Sequence, residues 1–135
     1  MPITFLYAED DPMSRQVMHV MLTKLELEGG AEVTIFEDSS NFMERVKALP
    51  KVPDVILLDV QITPHTGFEM LKMLRADPAY DGKPIIAMTA SVTVSDIEDL
   101  KKAGFDGLIA KPVRKKVFPE LLDRILAGDA VWYVP

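Results

Sequence analysis

A doubly wound α/β domain is what this sequence predicts, and three observations carry the prediction. Five short apolar runs recur along the 135 residues, each bounded by turn-forming residues. Between them, apolar residues fall at helical spacing. The runs also end in polar groups whose chemistry is complementary. A run that is apolar at every position reads as a strand buried on both faces, the mark of a parallel sheet. Strands that alternate with helices imply right-handed crossovers and helices on both faces.

Each element has its own signal. Ile3-Thr4-Phe5-Leu6-Tyr7-Ala8 is the first run and ends in Glu9 and Asp10. Asp11-Pro12 supplies an N-cap and a proline for the first turn of a helix that carries Val17, Val20, Met21, Lys24 and Leu25, with Gly29-Gly30 as its stop. Val33-Thr34-Ile35-Phe36 is a short second strand. Asp38-Ser39-Ser40 can cap a helix bearing Phe42, Val46 and Leu49, ended by Pro50 and Pro53.

Residues 54–59 give the third strand, which ends at Asp59. Gly67 to Ala76 places Phe68, Leu71 and Leu74 on one helical face, and Asp77-Pro78 and Asp81-Gly82 lead out of it. Pro84-Ile85-Ile86-Ala87-Met88 runs into Thr89. A helix beginning at Val94 or Ser95 turns Ile97 and Leu100 inward and closes at Gly104. Gly107-Leu108-Ile109-Ala110 runs into Lys111-Pro112, and a last helix is expected over 113–126. Residues 127–135 read as a tail with an apolar end.

Bulk composition narrows the class. One domain of this length buries roughly two thirds of the surface its unfolded chain exposes. The chain is 48% hydrophobic and 27% charged, ordinary for a globular protein. A net charge of −6 lacks the basic footprint that phosphate-backbone binding needs, so direct nucleic-acid contact is not expected. The chain has no cysteine, which removes disulfides and thiolate metal sites. No signal peptide and no run near the roughly 20 apolar residues of a membrane span is present, so the expected location is cytoplasmic, without membrane insertion.

Neighbouring strands of a parallel sheet bring their carboxyl ends side by side, and ligands of open α/β sheets bind there. Glu9, Asp10 and Asp59 should therefore converge, with Thr89 and Lys111 on the same edge. Oxygen-only ligands favour a hard cation, and Mg²⁺ usually takes one or two carboxylates while keeping waters and phosphate oxygens. A carboxylate can also attack phosphorus when a metal and a cation neutralise the equatorial oxygens. Asp10 and Asp59 suit the metal, Asp59 the nucleophile, Lys111 the cation, and Thr89 a hydroxyl contact to the same group.

The chain resembles the receiver domain of two-component response regulators. The resemblance covers nearly all of residues 1–126 and lies in Glu9-Asp10-Asp11-Pro12, Leu57-Leu58-Asp59 with Gly67 eight residues on, Met88-Thr89-Ala90, Ala103-Gly104-Phe105-Asp106-Gly107, and Lys111-Pro112. It implies a flavodoxin-like sheet of five strands in the order 2-1-3-4-5, with a receiver domain over 1–126 and a tail over 127–135. It implies that Asp59 accepts a phosphoryl group from the phosphohistidine of a sensor histidine kinase or phosphotransfer protein. Asp10, Asp59 and the backbone carbonyl of Gln61 would hold Mg²⁺, with Glu9 assisting through water. Lys111 would hold the phosphoryl group, a cis peptide would join it to Pro112, and Thr89 would report phosphorylation. The expected activity is a switch that catalyses only its own aspartyl phosphorylation and dephosphorylation and signals to a downstream effector protein by altered binding. Two positions depart from the family pattern: Thr63, followed by Pro64, stands where proline is common, and Leu108 where an aromatic residue is common.

Asp11 suits a helix cap better than a metal. His19 and His65 lack a second histidine at i+4 and so make poor ligands. Met18, Met21, Met70 and Met73 read as core filler. Arg114, Lys115 and Lys116 read as a solvated helix start. A phosphohydrolase using Asp59 is one rival, but enzymes resembling the haloacid dehalogenase family want a second aspartate where this chain has Gln61. A phosphate-independent binding module is the other, and the intact set of Asp10, Asp59, Thr89 and Lys111 speaks against it.

Overall fold

In a computed structural model, which describes residues 2–27 and 29–135, the chain forms one parallel sheet flanked by helices on both faces. In chain order the elements are β1 (Ile3–Ala8), α1 (Pro12–Thr23), β2 (Ala31–Phe36), α2 (Phe42–Lys47), β3 (Val55–Asp59), α3 (Gly67–Arg75), a single 3₁₀ turn (Pro78–Tyr80), β4 (Ile85–Thr89), α4 (Val94–Ala103), β5 (Gly107–Ala110), α5 (Phe118–Leu126) and β6 (Val131–Tyr133). The strand order is β2-β1-β3-β4-β5-β6, all parallel. The expected five-strand order 2-1-3-4-5 is present and extended by one strand.

Strand periodicity divides the core. Leu6, Ile56, Leu58, Ala87 and Leu108 face α2, α3 and α4, where they meet Phe42, Val46, Met70, Leu74 and Leu100. Phe5, Tyr7, Leu57, Met88 and Ile109 face α1 and α5, where they meet Met18, Leu22, Phe118 and Leu122. Every residue of β3, β4 and β5 is buried, as expected of central parallel strands. Met18, Met21 and Met70 are buried as core filler, and Met73 packs against the core from a half-buried position.

Caps explain most boundaries. Asp11 accepts from Ser14 N–H at 2.9 Å and starts α1 with Pro12 in the first turn. Thr66 and Glu69 form a capping box on α3, and Thr93 and Asp96 form another on α4. Gly104 closes α4 at φ 103°, a left-handed position that suits glycine.

Three boundaries differ from the sequence expectation. α1 ends at Thr23, well before Gly29-Gly30; the Thr23 hydroxyl donates to His19 O at 2.8 Å, and the two glycines serve the turn into β2. Asn41, in a left-handed conformation, occupies the N-cap position of α2 without a side-chain capping bond. Asp38 instead accepts from Ser40 N–H at 3.0 Å in its own tight turn. α5 begins at Phe118 because Pro119 is tolerated only in a helix's first turn; a helix running from 113 would bury that proline in its interior.

The tail is ordered. Val131, Trp132 and Tyr133 pair with Gly107, Leu108 and Ile109, and Val131 is buried. Gly107 permits this approach, because a Cβ there would collide with the Val131 carbonyl. Three residues are too short a run to announce a strand by periodicity, which is why the sequence reads as a tail.

Candidate functional site

β1, β3 and β5 deliver Glu9, Asp59 and Lys111 to one sheet edge with the same side-chain parity, that of Tyr7, Leu57 and Ile109. Their carboxyl ends meet because β1 lies between β2 and β3, the point where strand order reverses. Lys111 Nζ donates to Glu9 Oε1 at 2.6 Å and lies 3.4 Å from Asp59 Oδ1. Glu9 and Asp59 are buried, whereas Asp10 is exposed at the rim. One oxygen from each of Glu9, Asp10 and Asp59 lies within 4.8 Å of the others, so the expected acid cluster is assembled.

Backbone and side chains fix these groups. Gln61 N–H donates to Asp59 Oδ1 at 3.3 Å. Asp11 N–H donates to Glu9 Oε2 at 3.3 Å, and Arg15 donates to the Glu9 carbonyl at 3.1 Å. Gly67 N–H donates to Val60 O at 2.9 Å, and a Cβ on Gly67 would sit 2.9 Å from Asp59 O. That glycine lets α3 press directly on the backbone of Asp59. Lys111–Pro112 is a cis peptide, as the resemblance implied, and Thr63–Pro64 is a second.

The electrostatics follow from burial of two acids beside one ammonium. Burial, and then the neighbouring Glu9 carboxylate, push the Asp59 carboxyl up to about 7. Burial alone would also raise Glu9, but its hydrogen bonds with Asp59, Lys111 and Tyr7 outweigh that and hold it below the ordinary carboxylate range. Asp59 thus takes up a proton more readily than an ordinary carboxylate. Burial would lower Lys111, yet the two carboxylates raise it above an ordinary lysine.

Thr89 lies on the opposite parity, toward α4, and its Oγ1 accepts from Ser91 N–H at 3.0 Å. The Ser91 hydroxyl donates to Asp96 Oδ2 at 2.8 Å, in the first turn of α4. A cleft of about 420 Å³ opens here, lined in part by Gln61, Thr63, Thr89, Ser91, Asp96 and Leu100.

Two residues were missed by sequence reasoning. Tyr7 is fully buried and donates its hydroxyl to Glu9 Oε1 at 2.9 Å; its position two residues before Glu9 on a strand was an available signal. Ser39 is buried and clamps the β3–α3 loop, donating to His65 O and accepting from His65 N–H, each at 2.7 Å. No local pattern marks that contact. His65 lies beside Glu69 on α3, outside the acid cluster, and neither it nor His19 joins a group of possible metal ligands among the described residues.

The response regulator receiver domain model matches residues 5–123, and the chain belongs to that family. It is 31% identical over 127 residues to hybrid signal transduction histidine kinase I of Dictyostelium discoideum, a match covering 90% of this chain and 7% of that protein. Among solved structures it is similar to the chemotaxis response regulator CheY4 of Vibrio cholerae, with a TM-score of 0.80 at 25% identity over 93% of this chain and 99% of that one. It is also similar to the receiver domain of sensor histidine kinase PA1611 of Pseudomonas aeruginosa, described with a magnesium ion coordinated in its active site cleft. There the TM-score is 0.79 at 26% identity, covering 94% of this chain and 99% of that one. The chain spans less than half the length of the first curated relatives it matches, between 7% and 48%. No helix among the described residues is long and apolar enough to cross a membrane.

Proposed function

We propose that this receiver domain is a phosphorylation-activated switch whose acceptor is Asp59. The observation that carries the reading is the convergence of the buried Asp59 carboxylate with Lys111 at 3.4 Å and with Glu9 and Asp10 oxygens within 4.8 Å. The phosphodonor is the phosphohistidine of a sensor histidine kinase or phosphotransfer protein, in keeping with the kinases and regulators among the relatives. An Asp59 oxygen attacks phosphorus, the P–N bond breaks, and its electron pair returns to the imidazole nitrogen.

The oxygen-only cluster of Glu9, Asp10 and Asp59 fits Mg²⁺, with the backbone carbonyl of Gln61 as a further ligand. Bound Mg²⁺ supplies charge neutralisation for the equatorial phosphoryl oxygens. Lys111, 3.4 Å from Asp59, would exchange Glu9 for a phosphoryl oxygen. Thr89 turns its hydroxyl to donate to the same group, and Gln61 and Ser91 line the approach of hydrolytic water. The switch then signals by altered binding to an effector protein. Moving an equilibrium from 1:99 to 99:1 takes about 5.5 kcal/mol, within reach of a few charge-assisted hydrogen bonds of roughly 1.5–3 kcal/mol each.

The test is intact-mass analysis after incubation with acetyl phosphate and Mg²⁺, beside a small phosphate-ester hydrolysis assay. The parent should gain one phosphoryl group, Asp59→Asn none, and the esters should remain uncleaved. Equal labelling of the mutant would move the acceptor elsewhere.

A further inference from the structure

The C-terminal strand β6 is tied to the site through side chains, although it lies at the far edge of the sheet. Thr89 Oγ1 accepts from Ser91 N–H, and the Ser91 hydroxyl is held by Asp96, the residue whose carboxylate closes the capping box of α4. α4 is lightly anchored, because Leu100 alone among its ten residues is fully buried. Its last turn carries Lys101, whose ammonium sits 5.1 Å from the centre of the Trp132 ring on β6. Trp132 pairs beside Leu108, on the face of the sheet that α4 covers. The path from Thr89 to Trp132 is therefore continuous.

We propose that β6 is the output element of this domain, its hold on β5 set by the state of Asp59 through Thr89, Ser91, Asp96 and the Lys101–Trp132 contact. The proposal rests on Asp59 as phosphoryl acceptor. When the Thr89 hydroxyl turns to donate to the phosphoryl group, Ser91 N–H loses its acceptor. The loop that carries Ser91 must then adjust, and Asp96 passes the adjustment to the helix it caps. A rigid helix with one buried anchor answers by shifting as a body. Lys101 then leaves the Trp132 ring, and a strand of only three residues loses one of the contacts that hold it on the face α4 covers.

These 135 residues carry a single tryptophan, which makes the experiment direct. The protein is treated with acetyl phosphate and Mg²⁺, its intact mass is recorded, and hydrogen exchange across residues 129–135 is read with Trp132 fluorescence. In the phosphorylated protein the β6 amides should exchange about fivefold faster, the change that follows from losing one cation–π contact of about 1 kcal/mol, and the emission should move to the red. Lys101→Ala should show the faster exchange before phosphorylation and little further change after it. Asp96→Asn should keep the mass gain and lose most of the acceleration. Unchanged β6 exchange in a protein whose mass shows full phosphorylation overturns the proposal, as does full acceleration in phosphorylated Asp96→Asn. A missing mass gain is a separate failure: it removes Asp59 as the acceptor and takes this proposal with it.

Discussion

Glu9, rather than Asp59, is the nearer partner of Lys111: the ammonium donates to Glu9 Oε1 at 2.6 Å and stands 3.4 Å from Asp59 Oδ1. Glu9 therefore holds the cation, and is itself buried and held in turn by Tyr7. Removing the ammonium strands a buried carboxylate. Lys111→Met should lower the unfolding free energy by about 2–3 kcal/mol, somewhat below the full cost of breaking a buried pair, because Lys111 keeps 19% of its surface exposed. Adding Glu9→Gln should restore much of the loss. Urea titration of both variants checks this, and a strictly additive double mutant would show that the two side chains do not act as a pair.

Stability without metal should rise as pH falls toward the mildly acidic range. Asp59 is pushed up to about 7 by burial and Glu9, so the folded state binds its proton more tightly than the unfolded chain does. The resulting gain begins as pH drops through about 7 and is complete near the ordinary carboxylate value of about 4. Glu9, held low, opposes this only near and below its ordinary range of about 4. In EDTA the Tm should be higher at pH 6 than at pH 8. Asp59→Asn should flatten that difference and add about 1–3 kcal/mol at pH 8. A Tm that falls between pH 8 and pH 6, equally in parent and mutant, would contradict the raised Asp59 carboxyl.

Mg²⁺ should compete with the same proton. Below about pH 7 its apparent affinity should decline, approaching about tenfold per pH unit well below the midpoint. Calorimetry in two buffers of different protonation enthalpy counts the proton released. Asp10 lies exposed at the rim, outside the buried pair, so Asp10→Asn should weaken binding at every pH and leave the slope alone. An affinity independent of both pH and Asp10 would place the metal elsewhere.

Gly67 is a packing requirement at Asp59 itself. A Cβ at this position would meet Val60 Cα at 2.8 Å and Asp59 O at 2.9 Å, both backbone atoms that cannot rotate away. Gly67→Ala should cost about 1–3 kcal/mol in denaturant unfolding. It should also slow labelling by acetyl phosphate, since relief requires β3 and α3 to separate at Asp59. Unaltered stability and labelling together would mean that the helix slides without disturbing the site.

Much of this was legible because burial on both faces leaves a strand no polar position until it reaches the sheet edge. The uninterrupted runs ending at Glu9, Asp59, Thr89 and Lys111 therefore announced both strands and site. Where local chemistry competed, boundaries moved. Pro119 decided the start of α5 against an otherwise helical stretch, and Thr23 turned its hydroxyl onto the α1 backbone before the glycines were reached. Ser39 could not be found from sequence, because its partner His65 lies 26 residues away in a loop. β6 was hidden for a related reason: its pairing depends on the missing Cβ of Gly107, a property of the partner strand.

The sixth strand also covers an edge on which copies of the chain could otherwise pair. An uncovered β5 would offer a short, wholly apolar ribbon of unpaired amides, the kind of surface on which sheets of separate molecules fuse and aggregates begin. With Val131–Tyr133 in place the outermost ribbon is only three residues long and is followed by Val134 and then Pro135, which has no N–H to offer a newcomer. On the opposite flank β2 is only partly buried and carries Glu32 and Thr34. The sheet thus presents partly exposed polar side chains on one flank and a strand of only three residues on the other, two features that disfavour edge-to-edge pairing between copies.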